Sequence, residues 1–282
     1  MLLEVQGVAK KYGRKTALDG VSFSLDSGEV VGLAGHNGSG KSTTLRILMG
    51  LLEADAGRIE ILGVDPITRK HLGQVGWMSE RPAFPPRMRV RQILAFQAAT
   101  MPGWDPALAG QLSQRFEIDP AARSDRLSRG QVARLALLLA LAHRPRLLLL
   151  DDPCLGLDPQ ARRLLLGELL ASAAEAGSGV LLSTHLLAEV DRALDRIVVL
   201  QSGKVILDEG VTELRQRCRR LSLPAFADDL PHELAAVAAE GGALATQWDE
   251  EAWRAFSAEL PGALAEPVDL EDIFIAITGT KS

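Results

Sequence analysis

Nine consecutive residues carry the clearest chemical signal in this chain. They read Gly35-His36-Asn37-Gly38-Ser39-Gly40-Lys41-Ser42-Thr43 and fit the spacing Gly-x-x-x-x-Gly-Lys-Ser/Thr. Glycines at these points let backbone N–H groups turn inward toward an anion. Lys41 can reach the outer phosphates of a nucleotide, and the Ser42 hydroxyl can ligate Mg²⁺. A second signal is the pair Asp151-Asp152, which closes the apolar run Leu147-Leu148-Leu149-Leu150. A carboxylate at the end of a neighbouring parallel strand can hold the Mg²⁺ that Ser42 ligates, and Asp151 fits that role. Asp152 would lie beside the terminal phosphate, where a carboxylate can orient or activate water. Read in isolation, an aspartate before Pro153 is equally a helix or loop cap. A third segment, Leu127-Ser128-Arg129-Gly130-Gln131, precedes a helix starting near Val132; on spacing alone Ser128 is its N-cap and Gly130 a turn residue.

The flanks suit the first motif. Glu29 to Ala34 reads as a buried strand, and Thr43 to Met49 as a helix whose N-terminus points at the loop. Further strands are expected at Leu2 to Val8, Val21 to Leu25, Gly57 to Gly63 and Val75 to Met78. A helical block follows from about 84 to 144. After it strand and helix alternate: a strand at Leu147 to Leu150, a helix at Pro159 to Ala176 and a strand at Gly179 to Ser183. A helix at Leu186 to Ala193 and a strand at Arg196 to Leu200 complete the series. Such alternation argues a parallel sheet wrapped by helices, an α/β fold with the helical block inserted. Lys204 to Asp208 reads as a closing strand of the first-half sheet. Beyond about residue 215 the texture changes. Arg215 to Arg220 reads as a basic helix with a solvated face. Leu244 to Trp248, Glu251 to Leu260 and Leu270 to Ile277 read as strand, helix and terminal helix of a small α+β appendage.

Length and composition bound the function. With 282 residues and 47% hydrophobic content, one large domain and a small appendage are expected. The net charge is −5 with no dominant basic cluster, so nucleic acid is not an expected partner. Cys154 and Cys218 form neither a disulfide framework nor a metal spacing, which fits a reducing cytoplasm. The first residues are too short and too alternating for a signal peptide. The most apolar stretch, Leu135 to Leu150, is interrupted at His143-Arg144-Pro145-Arg146 and is too short on either side to span a bilayer.

Taken in order, these motifs resemble those of the ATP-binding subunit of an ABC transporter, closest to bacterial exporters with separate ATPase and membrane chains. The likeness covers roughly residues 1 to 210. It implies a P-loop NTPase core with an antiparallel β subdomain and an inserted helical subdomain. It divides the chain into an ATP-binding domain at 1–215, with its insertion at about 84–144, and an accessory region at 216–282. The resemblance implies that Tyr12 stacks on adenine and that Gly35, Asn37, Gly38, Ser39, Gly40, Lys41, Ser42 and Thr43 hold the phosphates of ATP. It implies Mg²⁺ at Ser42, Glu80 and Asp151, with Glu80 where the family has Gln or often Glu. It implies that Asp152 is the catalytic carboxylate and that His185 contacts the γ-phosphate. Ser128, Gly130 and Gln131 resemble the signature that completes the site of a second subunit, and Gly156-Leu157-Asp158 the loop that meets it.

Three residues depart from the family pattern: Asp152 stands for Glu, Arg129 for the first signature glycine, and Cys154 for a small hydroxyl residue. Cys154 is read as packing, and His36 and His143 as a loop residue and a helix-end residue. The resemblance implies an ATP-hydrolysing transport motor at the cytoplasmic face of the membrane. Its partners would be a separate transmembrane permease and a second ATP-binding subunit, identical or not. Asp152 motivates an alternative, a slow or non-hydrolysing regulatory subunit paired with a competent one. A soluble repair or translation ATPase is disfavoured, since neither a long coiled-coil insertion nor a tandem second ATPase domain is visible.

Overall fold

The computed structural model describes residues 1–184, 187–223, 234–239, 242–258, 260 and 262–279. The chain divides into two compact units, 1–185 with 198–207, and 186–197 with 208–282. The elements run β1 (Leu3–Tyr12), β2 (Lys15–Leu25), β3 (Val30–Ala34), α1 (Lys41–Leu48), β4 (Ala56–Ile61) and β5 (Val75–Met78). The helical block comprises α2 (Val90–Thr100), α3 (Pro106–Arg115) and α4 (Arg129–Leu141). Then come β6 (Leu147–Asp151), α5 (Pro159–Ala176), β7 (Gly179–Thr184), α6 (Leu187–Val190), β8 (Arg196–Gln201) and β9 (Lys204–Gly210). The remainder is α7 (Val211–Arg217), β10 (Arg219–Ser222), β11 (Ala236–Ala239), β12 (Gly242–Ala245), α8 (Glu250–Ala258), β13 (Leu264–Glu266) and α9 (Leu270–Thr278).

Two sheets meet in one core. The smaller is antiparallel, in the order β2-β1-β4. Leu3 sits opposite both Leu25 and Ile61, and Val5 opposite Phe23 and Ile59, so one face of the alternating pattern is buried. The larger sheet has the order β5-β6-β7-β3-β8-β9. Its β5, β6, β7 and β3 are parallel neighbours. A strand covered on both faces and paired on both edges is apolar throughout, and Leu147, Leu148, Leu149 and Leu150 are all fully buried. Leu45 and Leu48 of α1 join the same core. At Gly76 of β5 an added Cβ would overlap the Ala140 carbonyl oxygen and a Leu148 methyl, so α4 approaches the strand backbone closely.

The α/β architecture with its helical insertion is therefore the observed one. Some elements differ from expectation. α1 starts at Lys41 rather than Thr43, because Gly40 takes the left-handed N-cap conformation. β9 closes the edge of the six-stranded sheet, beside β8. The short β8–β9 turn at Ser202-Gly203 favours pairing of adjacent strands.

The second unit holds a four-stranded sheet in the order β11-β12-β10-β13. Trp253 of α8 packs on Leu221, Leu234, Ala243 and Ala245. The segment Arg215 to Arg220 is not one solvated helix. It breaks at Cys218, and its arginines find partners distant in sequence. Arg215 pairs with Asp191, Arg217 with Glu209 and Arg220 with Asp272, while Arg219 lies 5.3 Å over the Trp248 ring.

Two buried histidines of the first unit give the fold a pH dependence. His71 follows β4 and is enclosed beside the Leu48 backbone; burial pulls its pKa down. His143, just past α4, holds the Val75 carbonyl through Nε2 at 3.2 Å, and burial again lowers its pKa. A group whose folded pKa is depressed must give up stability as pH falls below its unfolded value, about 6.5 for histidine. Stability should therefore decline from pH 6.5 downward, with a limiting slope of about 1.4 kcal/mol per pH unit per histidine. The carboxylates with lowered values, Asp55, Asp105, Asp125 and Asp158, add their loss only in the more acidic range. Denaturant unfolding of the nucleotide-free protein between pH 7.5 and 5 checks this, and a flat profile over that range is the contrary result.

Candidate functional site

The site forms where three parallel strands end. β3 ends at Ala34, opposite Thr184 of β7, and Asp151 of β6 lies opposite Ser183 of β7. Ligands of open α/β sheets bind outside the carboxyl ends of such strands. From β3 the chain passes through Gly35, Gly38 and Gly40, at φ of 152°, 83° and 118°, and enters α1. These values favour glycine. Close approach adds to the constraint at two of them. A Cβ at Gly35 would overlap the Leu200 carbonyl oxygen and Ser39 Oγ, and one at Gly40 would lie 2.6 Å from a Leu18 methyl.

Lys41 opens α1 and is buried. Its Nζ donates to the loop carbonyls of Gly35 at 2.5 Å and His36 at 3.3 Å. Burial lowers its pKa, against the opposing pull of Asp152, Asp151 and Glu80, in that order. All three carboxylates thus act on this one ammonium group. The Ser42 hydroxyl donates to Asp151 Oδ1 at 3.1 Å. The same oxygen accepts from Ser183 Oγ at 2.8 Å. Asp152 has left the strand, with φ of 46°, a left-handed conformation that aspartate tolerates better than most residues. Glu80, just after β5, pairs with Arg81 at 3.5 Å.

A groove of about 200 Å³ follows the loop. It is lined by Tyr12, Lys15, Asn37, Gly38, Lys41 and Thr43, among others. Tyr12 is 48% exposed at the end of β1, so its ring is available to a planar ligand. The groove's lining includes none of residues 127–131. That segment instead caps α4. Ser128 Oγ accepts from the Gln131 N–H at 3.3 Å, and Gln131 Oε1 accepts from the Ser128 N–H at 2.8 Å, a reciprocal capping box. Ser128 as N-cap is therefore observed. Arg129 lies against Gly156, where an added Cβ would sit 3.3 Å from its Nη1. Asp158 caps α5 by accepting from the Gln160 and Ala161 N–H groups. His185 lies outside the described residues. Cys154 is buried and its thiol is pushed up to about 12, despite Arg162 nearby, so it packs as a neutral group.

The donor set fits a nucleotide with Mg²⁺. Ser39 Oγ is buried with no hydrogen-bond partner among the described residues, and the loop's glycines leave its backbone open to an anion. Ser42, Asp151 and Glu80 offer the hard oxygens that Mg²⁺ prefers. Among the described residues no group of three or more His, Cys, Asp or Glu could hold a metal alone. Mg²⁺ characteristically takes one or two carboxylates and completes its shell with water and substrate phosphates, so this sparse set matches it. Ser183 was not singled out by sequence. Its only signal there is its place at the end of an apolar strand next to the one bearing Asp151.

The ABC transporter family model matches residues 18–155. A Nod factor export ATP-binding protein I from Paraburkholderia xenovorans is 38% identical over 222 residues, 75% of this chain and 72% of that protein. The protein of the same name from Burkholderia orbicola is 34% identical, over 99% of this chain and 97% of its own. The chain belongs to the ATP-binding subunits of ABC transporters. Among solved structures, an ATP-binding subunit of an ABC transporter superposes with a TM-score of 0.68 at 30% identity, covering 77% of this chain and 92% of that one. As a member of this family, the chain is an ATP-binding ATPase.

Replacing Lys41 by alanine removes a buried charge aimed at the phosphate loop. We expect ATP affinity to fall by at least about 10-fold, the scale of a hydrogen bond to a charged group, and turnover to be lost. Equilibrium binding of a fluorescent ATP analogue and a steady-state ATPase assay check this; wild-type behaviour in both would remove Lys41 from the site.

Proposed function

We propose that this chain is the ATP-hydrolysing motor of an ABC exporter, acting at the cytoplasmic face of a membrane on a separate permease subunit. The observation that carries this reading is the convergence of Ser42, Asp151 and Lys41 at the ends of β3 and β6, with Ser42 Oγ 3.1 Å from Asp151 Oδ1. Export as the direction is supported by the names of the relatives above. No helix among the described residues is long and apolar enough to cross a membrane, which suits a motor whose permease is another chain.

Each residue has a role in this reading. Tyr12 stacks on the base, while Gly35 to Thr43 hold the phosphates through backbone N–H groups and Lys41. Ser42, Asp151 and Glu80 hold Mg²⁺. Asp152 takes up a proton from the attacking water, and His185 contacts the terminal phosphate. When bound, ATP with Mg²⁺ supplies the phosphoanhydride whose cleavage is coupled to movement. Ser128, Gly130 and Gln131 serve the phosphate loop of a second ATP-binding subunit, identical or not. Supporting this is their absence from the groove of their own chain. Residues 1–215 form the nucleotide domain in this scheme and 216–282 an accessory region. Light scattering with and without ATP and Mg²⁺ tests the pairing. We expect a dimer, or a heterodimer with a relative, only with nucleotide; a monomer at saturating ATP, alone and with natural partners, overturns it.

Asp152 favours a second reading, a slow or regulatory subunit. Aspartate is one methylene shorter than glutamate, which places its carboxylate about 1.5 Å farther from the water on an unchanged backbone. A displacement near 1 Å can cost about 100-fold in rate. Asp152→Glu should raise turnover by about 10-fold or more, and Asp152→Asn should lower it further, with ATP binding little changed. A steady-state ATPase assay of the three forms decides. If Asp152→Glu is no faster than the natural chain, the site is tuned to aspartate and the slow reading fails.

A further inference from the structure

We infer that Ser183 is a positioning residue, whose single hydroxyl sets the Asp151 carboxylate and the Asp152 backbone together. The inference rests on the roles proposed above for these two aspartates. Ser183 lies in β7 with 0% exposure, directly opposite Asp151 in the parallel register. Residues paired in register on neighbouring strands project to the same face of the sheet. The serine therefore reaches the aspartate sideways. Its Oγ donates its one proton to Asp151 Oδ1 at 2.8 Å. It also accepts from the Asp152 N–H at 3.0 Å, while the Ser183 carbonyl accepts from that same N–H at 3.2 Å.

The consequences differ for the two aspartates. Asp151 Oδ1 has two hydroxyl donors, Ser183 and Ser42. Ser42 is itself a proposed metal ligand, so Ser183 is the donor whose work is orientation alone. Asp152 is held where the chain departs from the strand, at φ of 46°. The hydroxyl and the carbonyl of Ser183 share that N–H, so the hydroxyl reinforces the anchor to β7 from which the turn begins. A partner that orients a metal carboxylate typically contributes 10- to 100-fold to metal affinity or activity.

The test uses the full chain. Equilibrium ATP binding in EDTA, a Mg²⁺ titration of ATP binding, and kcat with KM are measured for Ser183→Ala. We expect EDTA binding to stay near wild type, the Mg²⁺ requirement to rise about 10-fold, and kcat to fall about 10- to 100-fold with KM nearly unchanged. Ser183→Thr and Ser183→Val, alike in shape, separate the hydroxyl from packing: Thr should recover the Mg²⁺ response and Val should not. Wild-type behaviour of Ser183→Ala, or equal behaviour of Thr and Val, overturns the inference. Asp151→Asn is run in parallel and should lose the Mg²⁺ response. If it keeps that response, the metal assignment falls and this inference with it. If it loses the response while Ser183→Ala does not, the role of Ser183 alone falls.

Discussion

Everything at the site depends on the register between β3, β6 and β7. Parallel pairing sets Ala34 opposite Thr184 and Asp151 opposite Ser183, so the three strands deliver their last residues to one level. A slip of one residue would turn every side chain of a strand to the opposite face. The register is secured at the strand ends, because a slip would draw Asp151 into the apolar core of Leu147 to Leu150 and Val180 to Leu182 or push a core residue out of it. That cost keeps Ser42, Asp151 and Ser183 in one hydrogen-bonded set, beside Lys41 at the start of α1. Core packing thus controls chemical geometry here.

The loop between β3 and α1 solves a different problem. In the role proposed for it, it presents backbone N–H groups to an anion while running against the Leu200 carbonyl on one side and Leu18 on the other. Glycine at 35 and 40 is a condition of that fit, since a side chain at either point meets atoms already in place. Lys41 then faces a desolvated setting. Burial disfavours its charge, and Asp152, Asp151 and Glu80 favour it, so the same carboxylates proposed for metal and water also help keep the lysine protonated. Their electrostatic roles are coupled. Removing any of these carboxylates also weakens the support for the ammonium charge.

Much of this was legible in the sequence, for identifiable reasons. Phosphate-loop spacing is contiguous, and so is the leucine run before Asp151, so strand, loop and helix are read locally. The Ser128–Gln131 capping box is a four-residue pattern and was legible for the same reason. Most of what escaped was non-local. The arginines from 215 to 220 looked solvated because Asp191, Glu209, Asp272 and Trp248 are far along the chain. Which strand β9 pairs with is not legible, because an alternating edge strand carries no label for its neighbour. Ser183 was missed because a serine at a strand end is ordinary until the register puts it opposite an aspartate. The start of α1 moved from Thr43 to Lys41 because a left-handed glycine cap is a backbone property rather than a side-chain one.

Asp152 sits where the sheet register and the turn after β6 meet. A shorter carboxylate than the family's usual glutamate could in principle be offset by moving the backbone toward the ligand. Here that backbone is constrained at both ends. Upstream, Asp151 is paired in the sheet and held by two hydroxyls. At Asp152 itself the N–H is anchored on Ser183. Downstream, Pro153 fixes its own φ and restricts the residue before it, and Cys154 is packed in the interior. Compensation by a rigid shift would disturb the sheet register, the proline turn or the buried cysteine. Between those anchors Asp152 takes a left-handed conformation, at φ of 46°, and its side chain leaves the backbone from that fixed turn.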